Sequence, residues 1–273
     1  MTTLVNGQVG ACLPVNDRGL QYGDGLFETL ALRNGEPLLW DRHIQRLGEG
    51  CQRLGLPAPN MALLREELAR ITGLKERAVA KIILTRGNAG RGYRPDTHSV
   101  AMRIVQCLPW PAFPDTAGKE GVDVRWCETR LARQPRLAGM KHLNRLEQVL
   151  ARAEWQDDYA EGLMCDTDGL VIEGTKTNLF LVRDDGTVVT PDLSQSGVAG
   201  VMRAQILDSV ASMGLTCTIQ NVTTDMVESA RELFLTNSLI GIWPIRRIEA
   251  RHYVVGKISQ TLQAALHAAD CLA

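Results

Sequence analysis

Three of the eleven prolines in this 273-residue chain fall within Pro109-Trp110-Pro111-Ala112-Phe113-Pro114. Proline fixes φ and has no N–H to donate, so such a run can neither continue a helix nor lie in the middle of a sheet. It predicts a stiff linker over 109–118, with a small domain at 1–108 and a larger one at 119–273. A chain of this length has the material for two modest cores.

Before the linker, Leu26–Leu32 and Glu36–Trp40 flank Asn34-Gly35, a pair suited to a two-residue hairpin turn. Asp41 is expected to cap a helix whose apolar residues Ile44, Leu47, Cys51 and Leu54 recur at helical spacing. A second helix is predicted from Met61 to Thr72, with Asn60 as N-cap and Gly73 as terminator. Strands are predicted at Ala78–Thr85 and Val100–Leu108, separated by the glycine- and arginine-rich loop Arg86–Arg94. Beyond the linker, Val122–Glu128 reads as a strand and Leu143–Trp155 as a helix. Gly162–Asp166 and Leu170–Glu173 read as paired strands, and Asn178–Val182 with Thr187–Thr190 as a further hairpin. Helices are expected at Met202–Met213 and Thr224–Ser229, with a strand at Leu233–Thr236. The class is therefore mixed α and β (α+β), with a small α/β domain first.

Composition removes several functions. At 45% hydrophobic and 22% charged residues the chain is ordinary globular material. A net charge of −1 gives no global field to recruit nucleic acid or an anionic membrane. No apolar run approaches the roughly 18 residues of a membrane span, and the N-terminal residues lack the pattern of a signal peptide. Seven scattered cysteines, odd in number and without a C-x-x-C pair, argue against a zinc site or a disulfide framework. They suit a reducing cytoplasm, and no metal is expected.

Lys141 follows the apolar stretch Leu137-Ala138-Gly139-Met140 and precedes a predicted helix with Leu143, Leu146, Val149 and Leu150 on one side. Near a buried face, desolvation lowers an amine's pKa and makes it nucleophilic. Glu173 ends an apolar strand just before Gly174. Singly, each has a bland reading, a solvated lysine and a strand-end carboxylate. Together, a lysine able to form a Schiff base and a carboxylate able to keep a pyridine nitrogen protonated are what pyridoxal phosphate (PLP) asks of a protein. Gly197-Val198-Ala199-Gly200 then opens a helix whose first N–H groups and dipole suit an anion.

These residues lie in motifs. Lys141–Leu146 reads K-x-x-N-x-L, Glu173–Phe180 reads E-G-x-x-x-N-[LVI]-F, and His43–Leu47 reads H-[IM]-x-R-L. With the signature Asp17–Thr29, they resemble the PLP enzymes of fold type IV, along essentially the whole chain. The resemblance implies a larger domain built on a β-barrel-like core, PLP between the two domains, and a homodimer. It implies that Arg46 binds the cofactor phosphate, helped by the backbone at Val201 and Met202, where transaminases commonly carry a threonine at the second position. Asn237 and Ser238 would lie on the phosphate side, the Ser238 hydroxyl being the donor.

Three segments, Thr85–Tyr93, Lys141–Gln148 and Gln195–Arg203, are similar to the aminodeoxychorismate-lyase branch of that family. That likeness implies release of p-aminobenzoate and pyruvate from 4-amino-4-deoxychorismate, a step of folate synthesis, with Lys141 as Schiff-base former and proton carrier. A dianionic substrate needs cations. Arg86, Arg91 and Arg94 share one loop, and Arg91 is the preferred carboxylate partner because the glycines around it permit close approach. Arg145 is a weaker candidate, and Tyr93 would line the ring pocket. Two other readings stand beside this one. A D-amino acid or branched-chain aminotransferase would share Lys141, Glu173 and Arg46. A non-catalytic protein binding PLP or another phosphate ligand is the second, although no complete G-x-G-x-x-G or phosphate-loop motif is present.

Overall fold

The computed structural model describes residues 2–73, 75–88, 90, 92–96 and 99–273. The chain opens with strands β1 (Thr2–Val5) and β2 (Gln8–Val9) and the short helix α1 (Arg18–Tyr22). It continues through β3 (Gly25–Arg33), β4 (Glu36–Pro37), α2 (Trp40–Leu54), α3 (Met61–Thr72), β5 (Arg77–Thr85) and β6 (Met102–Pro109). All six strands join one antiparallel sheet in the order β2-β1-β6-β5-β3-β4. The turn at Asn34 and Gly35 has φ of 52° and 84°, the doubly positive geometry that Asn-Gly favours. Alternation along β3 buries Leu26, Glu28, Leu30 and Leu32, and α2 contributes His43, Leu47, Gly50 and Cys51 to the core. At Gly50 a side chain would meet Leu26 Cδ1 at 2.8 Å, so the helix sits close on the strand because that residue is glycine.

The remaining elements are α4 (Ala117–Glu120), β7 (Val122–Trp126), α5 (Leu146–Arg152), β8 (Glu161–Cys165), β9 (Val171–Gly174), β10 (Asn178–Val182) and β11 (Val188–Pro191). After them come α6 (Val201–Ser212), β12 (Cys217–Gln220), α7 (Thr224–Glu228), β13 (Glu232–Asn237), β14 (Gly241–Ile248), β15 (Arg251–His252) and α8 (Lys257–Ala268). Pairing runs β10-β13-β14-β7-β8-β9 and returns to β10 through Asn178 and Glu173. Six strands therefore close on themselves, which removes their free edges. Val124, Leu163, Leu179, Leu181, Leu233, Leu235 and Ile245 form one buried cluster of this sheet. The mixed α and β class and the barrel-like core expected of fold type IV are what is observed.

The chain divides into two compact units, Met1–Pro111 with Met140–Asn144 and Ala273, and Ala112–Gly139 with Arg145–Leu272.

Two local expectations are corrected. Asp41 is not the cap of α2 but lies in its first turn, because the chain enters the helix through Leu39 at φ 52° without a side-chain cap. The helix expected over Leu143–Trp155 is only α5, Leu146–Arg152. Its apolar side is not buried either, since Leu146, Val149 and Leu150 are 75%, 60% and 61% exposed.

Candidate cofactor and active site

Lys141 is set in place by backbone pairing to the start of β3. The Phe27 N–H donates to the Lys141 carbonyl at 2.9 Å, and the Leu143 N–H donates to the Gly25 carbonyl at 3.0 Å. Leu26 and His142 form an antiparallel bridge. The lysine thus stands on an extended, strand-like segment rather than on a helix. Its Nζ lies 4.5 Å from the centroid of the Phe27 ring, a cation–π distance.

One residue along β3, Glu28 points into the core, where a charge needs partners. It has two, both from α2. Arg46 donates from Nε to Glu28 Oε1 at 2.8 Å and from Nη2 to Oε2, and His43 Nδ1 lies 2.7 Å from Oε2. His43 and Arg46 are three residues apart and so share one helix face. Burial opposes ionisation of Glu28, but the Arg46 charge and the His43 hydrogen bond prevail and hold its pKa at about 2. Burial also lowers the His43 pKa against the pull of Glu28, so the ring is neutral and Nδ1–H is the donor. Its Nε2 is buried and has no hydrogen-bond partner among the described residues.

In the second unit, Glu173 is buried at the end of β9. Two donors meet its Oε2. The Val198 N–H donates at 2.8 Å and Asn178 Nδ2 at 3.4 Å. Asn178 Nδ2 also donates to the Val198 carbonyl at 2.9 Å. The 197–199 segment is itself fixed, with the Gly139 N–H on the Gly197 carbonyl at 2.9 Å and the Ala199 N–H on the Gly139 carbonyl at 3.0 Å. This carboxylate is oriented by two donors that stabilise its negative form. At Gly200 a side chain would strike Asn178 Oδ1 at 1.9 Å, so glycine is required there.

Gly200 is also the N-cap of α6, which has no side-chain cap; Val201 and Met202, buried, follow in its first turn. Uncapped N–H groups at a helix start are anion donors. Arg203, one residue further, is spent on the Thr190 hydroxyl (3.1 Å) and the Pro191 carbonyl (3.0 Å), which pins α6 to the sheet. Asn237 is engaged too. Its Oδ1 accepts from the Leu239 and Ile240 N–H groups, and its Nδ2 donates to the Lys176 carbonyl. Ser238 is half-buried beside it.

Of the substrate candidates, Arg91 lies outside the described residues. Tyr93 is 86% exposed, with its ring edge-on to Tyr22 at 5.6 Å. Arg145 is half-buried immediately before α5. Arg86 is committed elsewhere, to Asp24 and to the carbonyls of Leu54 and Gly55. Sequence reasoning passed over Glu28, His43, Asn178 and the Val198 N–H as working groups. Asn178 was available as the fixed asparagine of the second motif, and Glu28 as a carboxylate inside an apolar strand.

The chain belongs to the amino-transferase class IV family, whose model matches residues 25–248. Within it, the chain is 36% identical to an aminodeoxychorismate lyase of Vibrio harveyi, over 96% of this chain and 98% of that one. It is 49% identical to the crystal structure of 4-amino-4-deoxychorismate lyase from Pseudomonas aeruginosa, with a TM-score of 0.93 over 97% and 98% of the two chains. A putative branched-chain-amino-acid aminotransferase of Methanocaldococcus jannaschii is 29% identical over 93% of this chain and 89% of that one.

The donor set fits PLP. Taken unit by unit, the first offers a lysine amine suited to its aldehyde and an arginine suited to its phosphate, and the second a buried carboxylate suited to its ring nitrogen and an uncapped helix start suited to an anion.

Proposed function

We propose that this chain is a PLP-dependent lyase that converts 4-amino-4-deoxychorismate to p-aminobenzoate and pyruvate. The observation that carries the reading is the near-full-length likeness to two proteins of that name, at 36% and 49% identity. The aminotransferase likeness is lower, at 29%.

When bound, PLP supplies an aldehyde for the amine and a protonated ring that accepts an electron pair. Lys141 attaches the cofactor and, once released by the incoming amine, takes the proton from ring carbon C4 of the substrate and returns a proton to the departing enolpyruvyl group. Glu173, held by Val198 and Asn178, keeps the proton on the pyridine nitrogen. Arg46, the backbone at Val201 and Met202, and Ser238 hold the phosphate, with Asn237 shaping the turn that carries Ser238, and Arg91, Tyr93 and Arg145 receive the substrate. Loss of the enolpyruvyl group leaves an aromatic ring, which drives the reaction forward.

We further infer a homodimer, supported by the apolar side of α5. Three large apolar residues exposed within two turns of one helix are a surface that a second copy covers. A cytoplasmic location is supported by seven cysteines that are all free thiols. Among the described residues no helix is long and apolar enough to cross a membrane.

The test is incubation of the PLP-loaded protein with 4-amino-4-deoxychorismate, with Lys141→Ala alongside. Equal amounts of p-aminobenzoate and pyruvate, lost in the variant, are expected. Absence of both, with amino transfer from a D- or branched-chain amino acid to a keto acid, would replace the lyase by the aminotransferase.

A further inference from the structure

Asp24 sits where two arginines meet, one at the start of the loop after β5 and one on α1 that reaches the far end of that loop. Arg86, at the start of the loop after β5, donates from Nε to Asp24 Oδ2 at 2.7 Å and from Nη2 to Oδ1 at 3.1 Å. Arg18, on α1 and buried, donates from Nε to the same Oδ2 at 3.0 Å. The rest of the Arg18 fork reaches the far end of that loop, with Nη1 on the Gly92 carbonyl at 2.6 Å and Nη2 on the Tyr93 carbonyl at 3.1 Å. Its guanidinium also lies 4.9 Å from the Tyr22 ring centroid, and Tyr22 meets the Tyr93 ring edge-on. The near end is tied again by the Arg18 N–H on the Gly87 carbonyl at 2.9 Å and by a bridge between Asp17 and Asn88. One carboxylate thus closes the mouth of the loop. Burial works against the Asp24 charge, but hydrogen bonds from Arg86 and Arg18 bring its pKa below the usual carboxylate value.

We infer that Arg18 is a positioning residue for substrate recognition: through Asp24 and the Gly92 and Tyr93 carbonyls it fixes the Gly92–Tyr93 end of the loop, which presents the Tyr93 ring to a ring substrate. This rests on the function proposed above and says which of its stages Arg18 serves. The buried Arg18 guanidinium spends its Nε, Nη1 and Nη2 donors on Asp24 and on the Gly92 and Tyr93 carbonyls, which is the work of a support rather than of a substrate ligand. Its three directions of donation, to a carboxylate and two carbonyls of one loop, are geometry that lysine cannot reproduce. The exposed Tyr93 ring gains its fixed place from this arrangement rather than from burial. Loosening it adds an ordering cost to substrate binding, while the lysine and the carboxylate that do the chemistry stay as they are.

The experiment compares wild type with Arg18→Lys and Asp24→Asn, each loaded with PLP, by three readouts. These are the visible absorbance of the lysine-bound cofactor, kcat and KM for 4-amino-4-deoxychorismate, and the rate of chymotrypsin cleavage after Tyr93. The expected result is unchanged absorbance, a KM raised at least tenfold with kcat within threefold, and cleavage at least tenfold faster. An unchanged KM and cleavage rate with the absorbance intact would overturn the inference, as would a fall in kcat at unchanged KM. Asp24→Asn keeps the shape of the site, so it decides the question if the arginine variant does not fold. Should wild type form the lysine-bound cofactor yet not turn over this substrate, the proposed function fails, and the cleavage rates still report on the Arg18 contacts.

Discussion

At the scale of single residues, the site depends on charges held by donors inside the protein. Glu173 is useful to a pyridine ring only as an oriented anion, and the Val198 N–H and Asn178 both orient it. Glu173→Gln keeps the shape and removes the charge. It is expected to lower kcat about 100-fold, the usual scale for one electrostatic contact to a reacting system, while the cofactor still attaches to Lys141. Borohydride reduction followed by mass measurement reads the attachment, and a steady-state assay reads kcat. Retention of full kcat would remove Glu173 from the chemistry. Glu28 and His43 give a second, pH-dependent prediction. Glu28 has its pKa lowered from 4.5 to about 2, so its contribution is full above 4.5 and is lost as the pH falls towards 2. That contribution is on the order of 3 kcal/mol. His43 acts in the same direction, because its lowered pKa lets the unfolded chain take up a proton below about 6.5 that the folded ring refuses. Thermal midpoints should therefore begin to fall below pH 6.5 and steepen below 4.5. Glu28→Gln should start lower at pH 7 and lose the steeper part. A variant whose profile runs parallel to wild type would exclude Glu28 as the source.

Elements were legible where the signal was local. Asn60 and Gly73 bracket α3 as read, because the cap is a bond from the Leu63 N–H to the Asn60 side chain three residues away. Asp41 was misread because Leu39 adopts a left-handed conformation that leucine does not advertise. The segment before α5 was read as helix from its apolar spacing, yet pairing of Leu26 with His142 draws it out as a strand. No local rule carries a contact over that separation. The same limit hid the partner of Arg86. A loop arginine is visible in sequence as a cation, but Asp24, which spends it, lies beside it at the end of the neighbouring strand and 62 residues away in sequence. The glycine-rich start of α6 was legible, whereas the reason for Gly200 was not, because the obstacle is Asn178 from another strand. Gly200→Ala tests that element directly. The new methyl must displace the Asn178 side chain, at a cost of about 1–3 kcal/mol in stability, and the carboxylate loses the Asn178 support. PLP affinity is expected to weaken about tenfold, read by fluorescence titration of the apoprotein. Unaltered affinity would mean that the helix start and Asn178 move independently of the cofactor.

At the scale of the whole molecule, a chain with a net charge of −1 and an apolar stripe on α5 has little to keep its copies apart. Leu146, Val149 and Leu150 follow helical spacing and face the same way. They are too few to supply the roughly 800 Å² per partner of a standard interface, so in the proposed dimer they would serve as its apolar centre rather than its whole extent. Sedimentation velocity should give about twice the 30.0 kDa chain mass at micromolar concentration. Leu146→Asp combined with Val149→Asp would place two unpaired carboxylates in that centre. At about 1.5 kcal/mol or more for each, this weakens association at least 100-fold, and the variant should sediment as a monomer. Both substitutions are at exposed helix positions, so the fold of the single chain is retained, and circular dichroism with an unchanged thermal midpoint at high dilution checks this. A variant that remains dimeric would move the interface away from α5. A wild-type chain that sediments at 30.0 kDa would remove the dimer altogether.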